Sequence, residues 1–299
     1  MAIGAHSNDD NGDKSGHVRV YNLVGSEWQK VGQDLDGEAA YTLSGTSVSL
    51  SADGTTVAIG NNKHDGNSNY SVHVRVYNLV GSEWQKIGQD IDGVAKNDYS
   101  SESVSLSADG TTVAIGSPYN DDNGDRSGQV RVYHLDDSGS SLIWAQVGND
   151  IDGVAAGDFS GWSISLSSDG KSVAVGSPYN DDNGAGAGHA RVFSVPSSSP
   201  ITSASPPSSP TTFDWFNPTL SWEQQGLAIT GDSAGDDFGT SVSISGDGMT
   251  LAVGARVPAV DPYFGAGAPG APGVTDRPGY VEVYYKQPDS SWLLAETFT

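Results

Sequence analysis

Short runs of alternating polar and apolar residues recur along the chain, and they predict β-strands. In residues 103–107 serine alternates with valine and leucine, an Asp-Gly turn follows, and the apolar run 111–116 returns as a second strand. Residues 129–135 alternate again and predict a third strand, and residues 142–148 predict a fourth. No stretch has the 3.6-residue period of a helix. The pattern therefore predicts an all-β fold of antiparallel hairpins.

This four-strand unit is repeated along the chain. The second strand ends in Val-Ala-Ile-Gly or a close variant, and successive copies are 56, 56, 60 and 78 residues apart. A serine- and proline-rich tract at 195–211 accounts for the longest spacing and predicts a surface insertion. Repeated units of four antiparallel strands are typical of the blades of a β-propeller. The predicted blades cover residues 1–36, 45–92, 101–152, 161–230 and 239–299.

The first unit has no counterpart of the first strand, so the sequence predicts one domain with four complete blades and a partial first blade. A ring needs its ends joined, because unpaired strand edges invite association. We therefore expect upstream sequence that completes a larger ring, for example one of seven blades. A compact five-bladed ring with one incomplete blade is the alternative.

Aromatic and basic residues recur at fixed places in the units. The aromatic residue that closes each third strand and the tryptophan of each fourth strand are expected to pack between neighbouring sheets. The arginines two residues before those aromatics are expected to pair with a blade carboxylate or to stack on an aromatic face, rather than to bind an anion. They are Arg19, Arg75, Arg131 and Arg191.

Composition excludes several classes of protein. The net charge is −23, from 37 acidic and 14 basic residues, which argues against a nucleic-acid partner. Because the chain has no cysteine, it has neither disulfides nor thiolate metal sites. No apolar run is long enough to insert into a membrane.

An acidic, asparagine-rich loop after the second strand occurs in three units and is the main candidate site. Calcium takes about six to eight oxygen ligands from carboxylates, amides and backbone carbonyls, and these loops supply several of each. The predicted calcium ligands are Asn8, Asp9, Asp10, Asn11 and Asp13 in the first unit, Asn120, Asp121, Asp122, Asn123 and Asp125 in the third, and Asn180, Asp181, Asp182 and Asn183 in the fourth.

Two alternatives stay open at this point. Asparagine, aspartate and glycine are also the residues of ordinary turns, so the loops could be solvated turns that were copied with their repeat. The corresponding loops of the second and fifth units diverge, and divergent loops on one face of a propeller can form a ligand surface. In the fifth unit the expected ligand-contact residues are Asp261, Tyr263, Phe264 and Asp276.

The stretch DDFGTSVSISGDGMTLAVGAR, residues 236–256, resembles an FG-GAP repeat, the blade motif of the integrin α-subunit propeller. Phe238-Gly239 stands for the FG and Gly254-Ala255 for the GA, while Arg256 occupies the usual proline position. The other units match more loosely and are similar to long acidic repeat arrays of marine microalgae and bacteria. The resemblance implies an extracellular, adhesive and calcium-stabilised propeller. The integrin-type calcium loop lies between the first two strands, where this chain has only a short Asp-Gly turn, so those metal residues are not carried over.

No catalytic constellation is visible, so we expect a non-enzymatic protein. The favoured function is an extracellular or cell-surface binding and adhesion module for a protein or glycan ligand. The alternative is a structural repeat subunit of a wall, filament or appendage that associates with itself, and a carbohydrate-active enzyme ranks third. For a secreted chain, the sequon at Asn69 would make it a glycoprotein.

Overall fold

A computed structural model describes residues 1–62, 72–93, 99–196, 213–256 and 279–299. The expected ligand-contact residues Asp261, Tyr263, Phe264 and Asp276, the sequon at Asn69 and nearly all of the 195–211 insertion lie outside these ranges. Every regular element within them is a β-strand, which confirms the all-β prediction. None of the described residues forms a helix with the length and hydropathy of a membrane-spanning segment.

The strands form five antiparallel sheets, one for each predicted blade. Blade one contains β1 (Ala2–Ala5), β2 (His17–Val24) and β3 (Glu27–Asp36). Blade two contains β4 (Ser44–Leu50), β5 (Thr56–Asn62), β6 (Val72–Val80), β7 (Glu83–Lys86) and β8 (Ile91–Asp92). Blade three contains β9 (Ser103–Leu106), β10 (Thr112–Ser117), β11 (Gln129–Asp136), β12 (Ile143–Gln146) and β13 (Ile151–Asp152).

The last two blades follow the same order along the chain. Blade four contains β14 (Ser163–Leu166), β15 (Ser172–Ser177), β16 (His189–Ser194), β17 (Glu223–Gln224) and β18 (Ile229–Thr230). Blade five contains β19 (Phe238–Ile244), β20 (Thr250–Ala255), β21 (Tyr280–Lys286) and β22 (Trp292–Phe298).

The fourth strand differs from the sequence expectation in blades two to four. It is divided into two pieces, and both pieces pair with the third strand of the same blade. In blade three the chain bends at Gly148, which has a φ of +72°, and Ile151 then returns to pair with Val130. Ile151 is buried, so the return brings an apolar side chain into the core. The pattern alone predicted one fourth strand over residues 142–148, because the two residues of the second piece are too few to show alternation.

Neighbouring blades pack face to face through four apolar cores within the described residues. One face of the second strand is lined by small residues, and Ala58, Ala114 and Ala174 are fully buried there. Small side chains let the first strand of the next blade approach closely. The cores join blade one to two, two to three, three to four, and four to five.

Serine hydroxyls of each first strand bond to the next blade. Ser103 Oγ donates to the Gly161 carbonyl at 2.8 Å, and the Leu166 amide donates to Ser105 Oγ at 2.9 Å. The same two contacts are made by Ser47 with Ser101 and Ser49 with Leu106, and by Ser163 with Gly239 and Ser165 with Ile244. These hydrogen bonds explain why serine, rather than any polar residue, alternates in the first strands.

A tryptophan of each following blade lies over a glycine of the blade before it. Trp144 Nε1 donates to the Ile87 carbonyl at 3.0 Å, and the Gln89 side chain bonds to both backbone groups of Trp144. Gly88 has a φ of +71°, and a Cβ there would lie 2.7 Å from Trp144 Cδ1. We call residues 87–89 a tryptophan slot. The equivalent slots are residues 31–33, under Trp84, and 147–149, under Trp222.

The two end blades depart from this arrangement. Trp28 of blade one is 52% exposed, whereas Trp84, Trp144 and Trp222 are at most 4% exposed. Trp292 of blade five keeps the usual contact with the preceding blade, since it donates to the Gln225 carbonyl at 3.1 Å. Four residues after Trp292, where the other blades have glycine, blade five has Glu296 in the continuous strand β22.

The tryptophan slot gives a prediction with a matched control. Gly81 also has positive φ, +65°, but a Cβ there would meet no atom within 4 Å. We expect Gly81→Ala to cost only the backbone strain, about 1 kcal/mol of unfolding free energy. Gly88→Ala adds a clash with a buried indole and should cost about 3 kcal/mol or more. Urea unfolding of both variants measures the difference, and equal losses would contradict the role of the slot.

Buried polar residues head the third strands. His189 is fully buried, and neither ring nitrogen makes a hydrogen bond to a described residue. Burial, together with the nearby Arg191 guanidinium, lowers the pKa of His189 to about 3. The exposed Asp182 carboxylate lies 3.8 Å from Nδ1 and favours the charged ring, without offsetting burial. The imidazole is therefore neutral in the folded protein at pH 7.

The lowered pKa of His189 predicts how stability changes with pH. The unfolded chain takes up a proton below about pH 6.5 and the folded chain does not, so the free energy of unfolding falls as pH is lowered. The contribution of this one residue is at most about 1.4 kcal/mol per pH unit between pH 6 and pH 4. His189→Gln copies Gln129 of blade three and should flatten this slope in urea unfolding at several pH values. An unchanged slope would contradict the assignment.

Candidate functional site

The acidic loops and the crossovers between blades lie at the same end of the strands. The end of each second strand and the start of each first strand meet there, and parallel bridges join Gly16 to Ser44, Gly128 to Ser160 and Gly188 to Phe238. We call this surface the loop face. The short Asp-Gly turns between the first two strands lie at the opposite end of each blade, since every sheet is antiparallel.

The acidic loop of blade three is held by its own side chains. Asn120 Oδ1 accepts the Asp122 amide at 3.0 Å, and Asp121 Oδ1 accepts the Arg126 amide at 2.7 Å. Asn123 Nδ2 reaches the crossover and donates to the Gly153 carbonyl at 2.7 Å. Aspartate and asparagine commonly close turns in this way. Each of these side chains therefore has a structural role that requires no ion.

The loops of blades one and four repeat these bonds. The amide-accepting pairs are Asn8 with Asp10, Asp9 with Lys14, Asn180 with Asp182, and Asp181 with Gly186, and the crossover bonds run from Asn11 to Gly37 and from Asn183 to Gly231. The predicted calcium ligands are thus brought together in three separate loops on three blades. These hydrogen bonds explain why the sequence Asn-Asp-Asp-Asn-Gly recurs in the three loops.

Two carboxylates in the loops of blades one and three, and one in the loop of blade four, take less part in holding the loop. Asp10 and Asp182 are 64% and 59% exposed and lie near the histidine that heads the third strand, and Asp122 accepts Gln129 Nε2 at 3.1 Å. Asp13 accepts the Tyr41 hydroxyl from the crossover. Asp125 is its counterpart in blade three, and Ala185 replaces it in blade four. These carboxylates are the ones best placed to bind something else.

A second group of possible metal ligands was missed by the sequence analysis. One ligand atom each of His17, Asp34 and Asp36 lies within 4.8 Å of the others. Asp34, however, already accepts Arg19 at 2.8 Å and Lys30 at 2.7 Å. The hydrogen bond from Arg19, followed by that from Lys30, lowers the pKa of Asp34 to about 2. Two cations therefore already balance this carboxylate. The sequence carries no direct signal for this group, because His17 and Asp36 become neighbours only when β2 pairs with β3.

The recurrent arginines pair within the protein, as the sequence analysis expected. Arg75 is buried and bonds to Asp90 at 2.8 Å and to Glu38 at 2.7 Å. Burial opposes the charge of Arg75, but these two carboxylates raise its pKa overall. Arg191 donates to the Asp152 carbonyl at 2.8 Å and lies 5.0 Å from the Phe193 ring. These contacts leave the arginines a structural role.

An aromatic cluster on the loop face is the other feature that the sequence analysis missed. The ring centroids of Tyr99 and Tyr119 are 4.5 Å apart, and Phe159 lies 5.1 Å from Tyr119 and 5.2 Å from Tyr179. Trp162 lies 6.0 Å from Tyr179. Phe159 and Tyr179 are buried, while Tyr99, Tyr119 and Trp162 are partly exposed. The signal in the sequence was the repeated Ser-Pro-Tyr-Asn that opens two acidic loops.

Near this cluster the carboxyl groups of Glu102 and Asp158 have a raised pKa, and burial is the main cause for both. Glu102 occupies in blade three the position that Trp162 occupies in blade four. Asp158 accepts the Ala155 amide at 2.9 Å and Asn180 Nδ2 at 3.2 Å. Asp158 is therefore tied to the loop fold. Glu102 is the unusual acid of this face, because no other unit has a carboxylate at that position.

A cavity of about 380 Å³ lies on blade five, and none of its lining residues belongs to an acidic loop. Its lining includes Ser241, Gly254, Val281 and Phe298, which stand on the face of blade five that points away from blade four. Blades two to four cover the same face with the next blade. The cavity therefore reflects blade packing rather than the loop-face site.

Comparison with solved structures finds propellers at low sequence identity. The Dos1 propeller is 14% identical, with 86% of this chain and 47% of that chain covered, at a TM-score of 0.43. The propeller domain of the Trilobed protease from Pyrococcus furiosus is 11% identical (93% and 63% covered, TM-score 0.43). The acylaminoacyl peptidase of Pyrococcus horikoshii is 12% identical (93% and 34% covered, TM-score 0.43). The chain spans less than two thirds of the length of each of these three.

Comparison with curated proteins finds no match. The model of the FG-GAP repeat matches at two places, residues 91–133 and 222–268. The second match contains Phe238-Gly239 and Gly254-Ala255, the residues on which the resemblance was based. Phe238 is fully buried, and a Cβ on Gly239 would lie 2.4 Å from the His189 carbonyl, so the blade packing requires this motif. Two segments of the chain thus match the FG-GAP repeat, and the fold that contains them is all-β and of the propeller type.

Proposed function

We propose that the protein is a non-enzymatic binding and adhesion module that acts outside the cell or at its surface. Its ligand, a protein or a glycan, would dock on the loop face of blades three and four. The observation that carries the proposal is the aromatic cluster beside the acidic loops. Partly exposed Tyr99, Tyr119 and Trp162 adjoin the acidic loops that contain Asp125 and Asp182.

This combination of groups suits recognition by contact rather than catalysis. Aromatic rings bury apolar surface of a ligand with little loss of side-chain entropy, and they contribute strongly to binding energy at interfaces. The carboxylates and amides around them can accept or donate hydrogen bonds to hydroxyl groups. Because the surface is open, a broad ligand fits better than a small substrate that needs an enclosed pocket.

Calcium is proposed as an associated ion of the acidic loops in blades one and three. It would be held by the less engaged carboxylates, Asp10 and Asp13 in one loop and Asp122 and Asp125 in the other. The hydrogen bonds inside each loop favour the alternative of a self-sufficient turn. They do not use every oxygen, however, because a carboxylate offers about four lone-pair directions.

A structural subunit that associates with itself is the second candidate. Its support is the apolar surface on the two end blades. Trp28 of blade one is 52% exposed, and Tyr285 and Phe298 of blade five are 54% and 51% exposed. Exposed apolar patches of this kind mark contact surfaces.

Calcium binding predicts a rise in thermal stability. A ligand that binds only the folded chain raises the apparent Tm, and we expect a rise of a few degrees in millimolar calcium relative to EGTA, but not in magnesium. Asp122→Asn with Asp125→Asn should reduce the rise. Asp182→Asn in blade four, which has Ala185 in place of the last aspartate, should leave it unchanged. If calcium causes no specific rise in Tm, the acidic loops are turns that bind no calcium.

Ligand binding on the loop face predicts selective losses. After a glycan array and a surface-protein pull-down have identified a ligand, Trp162→Ala should weaken its binding about tenfold, since one lost aromatic contact is worth about 1–1.5 kcal/mol. Trp28→Ala removes an exposed tryptophan away from the loop face and is the control. Equal losses in the two variants, or no ligand under any cation condition, would contradict the proposal.

A further inference from the structure

One position on the loop face, just before the repeated serine of each first strand, differs among the blades. Thr46 and Thr240 hold it in blades two and five, and each hydroxyl donates to the carbonyl three residues earlier, at 2.8 and 2.5 Å. Glu102 and Trp162 hold it in blades three and four. The threonines close the turn before their strands, whereas an ionised carboxylate has no proton to donate in this way. Glu102 therefore does not take over the threonine contact.

Hydrogen bonds between the two blades bring Glu102 to the aromatic cluster. Ser103 Oγ donates to the Gly161 carbonyl at 2.8 Å, and Glu102 precedes that serine while Trp162 follows that glycine. The Glu102 amide also donates to the Tyr99 carbonyl at 3.2 Å. Glu102 is thus anchored to Tyr99 in its own blade and lies beside the strand start that carries Trp162.

The carboxylate of Glu102 is partly removed from water and is not balanced by a cation. Within the part of the chain that the structure describes, it makes no hydrogen bond or ion pair, and burial alone raises its pKa. Asp158 differs, because the Ala155 amide and Asn180 Nδ2 donate to it. A partly buried negative charge without a partner opposes folding, and a cation that approaches it relieves this cost.

The rings of the cluster are steeply inclined to one another. The planes of Tyr119 and Phe159 meet at 86°, and those of Trp162 and Tyr179 meet at 90°. Such rings do not form the single flat platform on which a sugar stacks. A compact cation needs no platform, because the face of any ring attracts it within about 6 Å of the centroid. The ring geometry therefore favours a compact cation over a sugar.

The surroundings of the cluster also favour a cation. The guanidinium of Arg126 lies 6.0 Å from the centroid of the Tyr119 ring, so one ring of the cluster already has a cation beside it. Asp125 and Asp182 are exposed in the adjoining acidic loops, and the net charge of the chain is −23. A negative surface attracts a positively charged partner and raises its rate of association.

We propose that the loop face of blades three and four binds a lysine side chain of a basic polypeptide segment, with its ammonium group at the Glu102 carboxylate and its stem against Trp162 and Tyr99. The stem of lysine is apolar and its ammonium group is compact, so it matches aromatic rings that lie beside a carboxylate. The inference rests on the proposed function, since it names the class of ligand for the same surface.

The test uses a short fluorescein-labelled peptide of alternating glycine and lysine, and the whole chain. Fluorescence anisotropy should give saturable binding at about 0.15 M salt, where charges beyond about 8 Å are screened. The same peptide with acetylated lysines keeps the stems but loses the charges, and it should bind at least about tenfold more weakly. No saturation by the first peptide, or equal binding by both, would overturn the proposal. Tighter binding of a glucosamine oligosaccharide, which carries ammonium groups on sugar rings, would overturn a polypeptide as the occupant.

Two variants that remove the same charge locate the site. Glu102→Gln should weaken binding of the lysine peptide about tenfold, because the ammonium group loses its ionic partner. Glu27→Gln is the control, since Glu27 is exposed in the hairpin between β2 and β3, at the end of blade one opposite the loop face. It should change the affinity less than about twofold. Burial disfavours the charge of Glu102, so Glu102→Gln should not lower the Tm, and its effect on binding is separable from unfolding. Equal effects of the two variants would overturn the proposal.

Comparison of Glu102→Gln with Trp162→Ala separates this inference from the proposed function. Both variants should weaken binding of the lysine peptide, and both should weaken binding of the ligand that the array or pull-down identifies. A ligand that is lost in Trp162→Ala but is bound normally by Glu102→Gln would overturn the inference and leave the proposed function standing. If neither the peptide nor any other ligand binds, both are contradicted.

Discussion

The fold depends on the contact of a tryptophan in one blade with a glycine in the blade before it. A sheet covered on both faces can stack only if its neighbours meet without gaps, and the indole over Gly88 closes the outer part of that junction. The inner part is closed by alanine and by serine hydroxyls, which let the strands approach closely. Large apolar residues between these two zones, such as Val74 and Val130, then fill the core. Each junction is therefore specified by a few small residues and one large residue.

The strands and their repeat could be predicted from the sequence, because alternation and Asp-Gly turns are local signals. The divided fourth strand could not, since the return of Ile151 depends on a bend at Gly148 that only the neighbouring tryptophan explains. The sequence also fails to predict a positive φ where one repeat lacks a glycine that the other repeats have. Ser101 stands where Gly45, Gly161 and Gly239 stand in other blades, and it keeps their positive φ at +84°. Packing holds the chain in that conformation despite the side chain.

The candidate site illustrates a different limit of sequence reasoning. Asparagine and aspartate in the acidic loops were read as calcium ligands, and their composition fits that reading. The structure gives a second reason for the same residues, since Asn123 ties its loop to the crossover and Asp121 closes the turn. The aromatic cluster was invisible because its members come from four loops, which are the acidic loops of blades three and four and the crossovers that precede these two blades. Only the stacking of blades brings Tyr99 and Trp162 to one surface.

The tryptophan slots give the stack of blades a direction. Every described tryptophan slot is occupied by the following blade, so a blade always offers a slot forward and inserts its own tryptophan backward. Blade five breaks this rule, because Glu296 carries a charged side chain where the slot requires glycine. At the other end of the stack, Trp28 of blade one is 52% exposed and lies in no described slot. The stack of five blades is thus polar, because its first blade exposes a tryptophan and its fifth blade lacks the glycine of a slot.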